Sequence, residues 1–201
     1  MLPKRVAAAL IAPAAFASLA GCGVNTIPTA EEEAKAAWAN VQDRYQRRAD
    51  LIPNLVGTVR AAAAQERNTL REVTEARAAA TRIQLSPEQL RDPEAMRAFS
   101  EAQGRLSAAI IPLQRLQEAY PDLKTNQNFM TLQDQLESTE NRISIARTDY
   151  NEAVRRYNTT IRTFPAVIGA KVIYGAEPMV PFQATTAGAN EAPKVDFGNG
   201  Q

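Results

Sequence analysis

A heptad repeat of large apolar residues runs through the second half of the chain and sets its fold class. Large side chains recur every seven residues, at Phe129, Leu136, Ile143, Tyr150, Tyr157 and Phe164. Mostly small residues fill the companion positions, at Leu132, Thr139, Ala146, Ala153 and Thr160. This spacing places side chains on one stripe of an α-helix, where they can interdigitate with a neighbouring helix. The repeat predicts a helix that opens at 125–128 and stops before Pro165.

A second heptad stripe occupies the first half of the chain. Its main positions are Trp38, Tyr45, Ile52, Val59, Glu66, Val73 and Ala80. The stripe keeps its register across Pro53, which favours a single helix over about 30–83 with a kink at the proline. The alternative is a break, with Asp50 as N-cap and Pro53 in the first turn of a separate helix.

Caps and prolines divide the chain into three long helical segments. The first segment opens at Thr29 and Glu32, which have the spacing of a capping box. The middle segment begins at a cap at Ser86 or Asp92 and ends at Tyr120, before a proline. Short loops between long helices predict antiparallel neighbours. We therefore expect an all-α fold, an elongated antiparallel helical bundle with its first segment kinked or broken near Pro53.

The chemical inventory excludes most classes of active site. The sequence contains no histidine and a single cysteine, Cys22. A histidine-based triad, a histidine-ligated metal, a thiolate zinc cluster and an intramolecular disulfide are therefore all ruled out. The net charge of +1 gives no reason to expect a nucleic-acid partner. We predict no catalytic residue, no metal and no cofactor.

Acidic residues leave one alternative to that prediction. Glu72 and Glu75 lie one helical turn apart, and Glu137 and Glu140 have the same spacing on the last long helix. Facing carboxylate pairs of this kind could bind Ca²⁺ or Mg²⁺. Salt bridges to neighbouring arginines are the interpretation we favour.

The first residues have the organisation of an export signal. The basic stretch MLPKR precedes the uncharged, almost wholly apolar run 6–20. Leu19, Ala20, Gly21 and Cys22 then resemble the bacterial lipobox, in which the cysteine is acylated and becomes the mature N-terminus. An uncleaved transmembrane anchor is the alternative, because no charge occurs between Val6 and Ala30. Both interpretations place the body outside the cytoplasm.

The leader determines how we divide the chain into regions and where we expect the protein to be located. We predict a lipoprotein signal peptide over 1–21, a lipid-anchored tether over 22–28, a helical bundle over 29–165, an apolar extended segment over 166–183 and a disordered tail over 184–201. The expected partner of the acylated N-terminus is the lipid bilayer, on the periplasmic or other extracytoplasmic face. Gly23 follows the cysteine, where an aspartate retains many lipoproteins at the inner membrane, so the outer membrane is slightly favoured.

Charged residues before Pro53 are the candidate interaction site. Arg47, Arg48 and Asp50 could form a patch that binds a protein partner or an anion. The alternative, which we favour, is an ion-paired network that satisfies backbone carbonyls left free by the proline.

Four long motifs resemble the LemA family. They are YQRRADLIPNLV (45–56), EVTEARA (72–78), YPDLKTNQNF (120–129) and LESTENRISIARTDYNEAVRRYNTTIRTFP (136–165). The resemblance covers about 24–165 and implies an antiparallel four-helix bundle held at a bacterial membrane, with the fourth helix created by a break near Pro53. Many relatives have a transmembrane anchor, so the lipobox departs from them. The chain also has four alanines at 61–64, where relatives often have a more polar stretch.

The LemA family has no agreed catalytic residue or activity that the resemblance could transfer. Some relatives are linked to magnetosome biogenesis, and others lie near membrane metalloproteases. We predict a non-enzymatic scaffold or adaptor in the cell envelope with a protein partner of unknown identity. The alternative functions are a regulatory or substrate-presenting partner of a membrane protease and, more remotely, a carboxylate-only metalloenzyme.

Overall fold

The computed structural model of the protein describes residues 25–183 and is built from six α-helices in that range. Their bounds are α1 Thr26–Ala62, α2 Arg67–Arg82, α3 Pro93–Ala119, α4 Pro121–Lys124, α5 Gln127–Thr160 and α6 Ala166–Gly169. A 3-10 turn, Glu88–Arg91, precedes α3, and a π-helical turn, Ala170–Tyr174, follows α6. Residues 25–183 contain no strand, so the predicted all-α class is confirmed.

The four long helices form an antiparallel bundle. Helix α1 is about 55 Å long and lies against α5, with an ion pair of 3.6 Å between Glu33 and Arg156 near one end. Helix α2 returns along α1, and α3 reverses again, so that the hydroxyl of Tyr120 donates to Glu66 at 2.8 Å. The predicted bundle is therefore confirmed, with up-down-up-down topology.

The first helical segment differs from its prediction. Helix α1 continues through Pro53 and ends at Ala62, and a four-residue connection leads to α2. A single helix over 30–83 is therefore wrong, and a break near Pro53 is also wrong. Two helices can share a heptad register when both face one core. Val59 and Val73 are both fully buried on either side of the turn.

Pro53 is tolerated because a distant side chain replaces the missing backbone donor. A proline has no N–H to offer the carbonyl four residues earlier, which is that of Ala49. Arg77 Nε on α2 donates to this carbonyl oxygen at 2.7 Å. The donor at this carbonyl is therefore Arg77, and neither Arg47 nor Arg48 supplies it as expected.

The helix caps partly match their predictions. Asp92 accepts from the Glu94 N–H at 2.8 Å, so the middle helix starts there, after the 3-10 turn. Asn126 accepts from the N–H of Phe129 at 3.1 Å and caps α5. The capping box at Thr29 is wrong, because α1 starts at Thr26 and the Thr29 hydroxyl donates to the Asn25 carbonyl at 2.9 Å.

Two apolar cores fill the bundle. The leader-end core lies where α1 begins and includes Ile27, Trp38, Tyr45, Leu90, Phe99, Ile143, Tyr150, Tyr157, Met179 and Phe182. The far-end core includes Ile52, Leu55, Val59, Leu70, Val73, Leu106, Leu113, Leu123, Phe129 and Leu136. Buried polar residues lie between them, at Arg48, Ser100, Gln103 and Thr139.

The chain after α5 turns over the leader end and then runs back along the bundle. Helix α5 ends at Thr160, before the predicted stop at Pro165. The extended segment predicted for 166–183 is helical from Ala166 to Tyr174 and extended only beyond Gly175. Gly175 reverses the chain at a φ of 55°, a backbone conformation that glycine adopts without strain. We call residues 176–183 the returning tail.

Candidate interaction sites

The structure separates the three residues predicted to form a binding patch. Arg47 and Asp50 are exposed on the surface of α1, whereas Arg48 points into the bundle and is only 2% exposed. Asp50 accepts a hydrogen bond from Gln46 at 2.7 Å and lies 3.9 Å from Arg77. A partner that docks on this face can therefore reach Arg47 and Asp50 but not Arg48.

Arg48 joins three helices in the polar layer between the two cores. Its Nη1 donates to Ser107 Oγ at 2.6 Å and to Glu140 Oε2 at 2.9 Å. Its Nη2 donates to the side-chain and backbone oxygens of Gln103, at 3.0 and 3.1 Å. The guanidinium also lies 5.0 Å from the ring centroid of Tyr45. Burial raises the pKa of the Tyr45 hydroxyl above its ordinary value.

The polar layer fixes the relative positions of α1, α3 and α5. A buried cation loses its partners if one helix slides by a turn, so it favours one register over others. Glu140 is half-exposed and borders a side groove of about 600 Å³. In the sequence, Arg48 lies three residues after Tyr45 and therefore on the same face of the helix as the apolar stripe. A charged residue at such a position is the feature that could have predicted its burial.

Two asparagines on α5 clamp the returning tail. Asn151 donates to the Phe182 carbonyl at 3.0 Å and accepts from the Phe182 N–H at 2.7 Å. Asn158 makes the same pair of bonds to Met179, at 2.8 and 2.9 Å. Each side-chain amide thus satisfies both backbone groups of one tail residue, as a neighbouring strand would.

The tyrosine before each asparagine adds a third bond. The Tyr150 hydroxyl donates to the Val180 carbonyl at 2.9 Å, and the Tyr157 hydroxyl donates to the Glu177 carbonyl at 3.1 Å. Burial raises the pKa of the Tyr150 hydroxyl well above its usual range, so this hydroxyl keeps its donor proton at alkaline pH values where an exposed tyrosine would lose it.

The spacing of the clamps matches an extended chain. The two Tyr-Asn pairs lie seven residues apart on α5, an axial distance of about 10.5 Å. Their partners lie three residues apart on the tail, which is about 10 Å in extended backbone. None of the predictions made from the sequence included these clamps. The repeated Tyr-Asn pair at heptad spacing is the pattern that could have revealed them.

Side chains of the tail complete the leader-end core. Phe182 stacks on Tyr45 at a centroid distance of 6.3 Å and meets Phe99 edge-on at the same distance. The Arg147 guanidinium lies 4.1 Å from the centroid of the Phe182 ring. Met179 is also buried. The tail is therefore part of the folded domain rather than a free peptide.

The family comparison agrees with this extent of the domain. The LemA family model matches residues 37–197. The chain belongs to the LemA family. The match includes the returning tail, so the LemA domain extends beyond the predicted boundary at residue 165. A comparison with curated proteins finds no match.

The acidic pairs of this LemA protein do not converge. Over the described range 25–183, the structure contains no group of three or more acidic or thiol side chains placed to hold a metal. Glu75 instead lies 3.8 Å from Arg71, and Glu140 is bonded to Arg48. The predicted salt bridges therefore account for these two carboxylates.

The predicted anchor of this LemA protein lies outside the described residues. Leu19, Ala20, Gly21 and Cys22 all precede Asn25, so acylation of the cysteine stays a prediction. From residue 25 to residue 183, no helix combines the length and the apolar character that spanning a bilayer requires.

Proposed function

We propose that this LemA protein is a membrane-tethered lipoprotein of the cell envelope and that its bundle acts as a non-enzymatic scaffold or adaptor. The observation that carries the proposal is the position of α1. The helix begins four residues after Cys22, so a lipid on that cysteine would hold one end of the bundle close to the bilayer. The far end would then stand about 55 Å from the anchored end.

The distribution of polar groups supports a binding role rather than catalysis. The bonds of the polar layer around Arg48 join the helices to one another. Exposed charges on α1, such as Arg47 and Asp50, are available on the side of the bundle. A rigid bundle with such side faces can hold a protein partner at a set distance from a membrane.

The tether is tested by replacing Cys22 with alanine in the full chain. Precursor mass, lipid labelling and membrane fractionation are then followed together in cells. We expect the wild-type chain to carry lipid and to lose residues 1–21, and the Cys22→Ala chain to do neither. A wild-type chain of unprocessed mass without lipid would contradict the lipoprotein assignment and favour a transmembrane anchor.

The adaptor role is tested by photocrosslinking in native membranes. A crosslinker at position 47 should capture one defined protein, and the charge reversal Asp50→Lys should abolish that product. Position 105, an exposed arginine of α3, is the matched control and should not capture it. A membrane protease as the captured protein would establish the alternative regulatory role. Reproducible hydrolysis by the purified chain, lost on substitution of one carboxylate, would overturn the proposal.

A further inference from the structure

The leader end of the bundle exposes an unusual set of large apolar side chains. Phe164 is 71% exposed, Val172 80% and Ile173 62%, and Ile168 and Tyr174 are also exposed. We call these five residues the end surface. Among residues 25–183, the other exposed large apolar side chains are Ile111, Met130 and Ile145, which lie apart on the long helices.

Burial within this segment is inverted relative to an ordinary helical turn. Its small residues, Ala166, Gly169 and Ala170, face the bundle and are buried. The larger Ile168 and Val172, one turn apart, point outward. A segment that packed only on protein would gain more by burying its large side chains, at about 25 cal/mol per Å². The inversion indicates that the large side chains contact an apolar environment outside the bundle.

The charged residues around the end surface indicate what kind of apolar environment it contacts. Residues 152–177 carry four basic side chains and two acidic ones, a net charge of +2. Arg155 and Arg156 lie within 4.0 Å of Glu152. Arg162 and Lys171 are exposed and make no ion pair within residues 25–183. The nearby acids of α1 are already paired, as in the 3.6 Å contact of Glu33 with Arg156. Apolar and aromatic side chains flanked by lysine and arginine suit the interface of an anionic bilayer.

The end surface also lies beside the point where the leader joins the bundle. Asn25 and Thr29 line one groove together with Thr159 and Thr160 of α5. Ile27 belongs to the same core as Ala166 and Ala170. Three residue steps separate Cys22 from Asn25, a chain length of at most about 11 Å. A membrane that holds the leader is thus within reach of the end surface.

We propose that the end surface inserts into the headgroup region of an anionic bilayer and holds the bundle upright on it. Phe164, Ile168, Val172 and Ile173 enter the apolar boundary, and Tyr174 lies at the headgroup level. Arg162 and Lys171 contact lipid phosphates. The proposal rests on the membrane tether proposed above and adds a second, non-covalent contact.

Depth-dependent fluorescence quenching tests the insertion. The full mature chain carrying Val172→Cys is labelled with a thiol-reactive fluorophore and reconstituted in phosphatidylethanolamine–phosphatidylglycerol vesicles with lipids brominated near the headgroup. We expect several-fold more quenching than with the label at Arg105→Cys, an equally exposed site on α3. Adding Ile173→Asp should lower the quenching, whereas Ile145→Asp, another exposed isoleucine, should not. Circular dichroism checks that each variant is folded.

The possible failures are distinguishable. Vesicle-bound protein with no quenching at position 172 would overturn the insertion and leave the tether intact. Equal quenching at 172 and 105 would overturn it as well, because contact would not be confined to the end surface. The wild-type chain should take up no label, since its only thiol is acylated; labelling of Cys22 would overturn the lipid tether, while quenching at 172 would still support insertion.

Discussion

The two ends of the bundle are built from the same heptad pattern but closed in different ways. At the far end, α1, α2, α3 and α5 surround a mainly aliphatic core. At the leader end, α2 has already ended at Arg82, and its place is taken by the connection 83–92 and the returning tail. The leader-end core is correspondingly aromatic and includes Trp38, which lies 5.1 Å from the ring centroids of Phe99 and Tyr150.

This difference shows how a bundle accommodates helices of unequal length. A helix satisfies its own backbone hydrogen bonds, so the far end needs only apolar contact between helices. An extended tail cannot do so, and α5 must supply side-chain partners for the backbone of the tail. The Tyr-Asn pairs are therefore found only where α5 meets the tail. We expect perturbations of the tail to affect the leader end first.

The largest effect is expected from removing the returning tail. A chain that stops after Gly175 loses the buried side chains of Met179 and Phe182 and all the clamp bonds. We expect a loss of about 4 kcal/mol in the free energy of unfolding, mainly from apolar burial. Chemical denaturation measures the loss. In hydrogen exchange, amides of α5 near Tyr150 should lose protection before those near Leu136.

A chain that stops after Gln183 is the control for this truncation and should unfold like the full chain. The contrast between the two ends would be contradicted if the control truncation after Gln183 were as destabilising as the truncation after Gly175, or if both halves of α5 lost protection together.

The polar layer gives the next largest expected effect. Glu140→Leu removes the only acidic partner of the buried Arg48 guanidinium found in residues 25–183, and we expect a loss of about 2 kcal/mol. The double variant Arg48→Met/Glu140→Leu should recover most of that loss, because no buried charge remains. Denaturant unfolding of both variants measures this.

Glu137 is the matched control for Glu140, since it is exposed on the same helix and borders the same groove. Glu137→Leu should change stability little. If the double variant were as unstable as Glu140→Leu alone, the loss of stability would not come from leaving the Arg48 charge unpaired.

One clamp residue should have a smaller effect. Asn158→Ala leaves the Met179 N–H and carbonyl without their partners, and we expect a loss of about 1.5 kcal/mol. Asn141→Ala, at an exposed position of the same helix, should be neutral or slightly stabilising, because alanine favours helix. Thermal unfolding compares the two. Equal behaviour would mean that side-chain packing alone holds the tail.

The smallest expected effect is a decrease in the free energy of unfolding at alkaline pH. The folded pKa of Tyr150 is raised above its ordinary value of 10.0 because the hydroxyl is buried. The unfolded chain therefore loses this proton first, so stability is complete below pH 10 and falls as pH rises above it. Tyr150→Phe should flatten this decline and cost about 1 kcal/mol at neutral pH through the lost bond to Val180.

Melting temperatures between neutral pH and pH 11 test this prediction, with Tyr174→Phe as the exposed control. If the melting temperature of Tyr150→Phe fell with rising pH as steeply as that of the wild type, ionisation of Tyr150 would not be the cause of the alkaline decline.

The sequence by itself determined the fold class, because a seven-residue repeat of large apolar side chains fits only one stripe of a helix. It also placed the candidate caps at Ser86 or Asp92 and within 125–128. The structure uses Asp92 and Asn126, each of which accepts from an N–H no more than three residues later. It also excluded histidine-based sites and an intramolecular disulfide.

Only the tertiary structure decided where α1 ends and what Arg48 contacts. The helix passes Pro53 because Arg77, 28 residues away, bonds the Ala49 carbonyl, and no local pattern contains that information. Arg48 is buried because Gln103 and Glu140 meet it from two other helices. The tail, likewise, lies on α5 through pairings of 20 to 31 residues in sequence separation. Local spacing fixes local structure, whereas contacts between distant segments depend on how the helices pack.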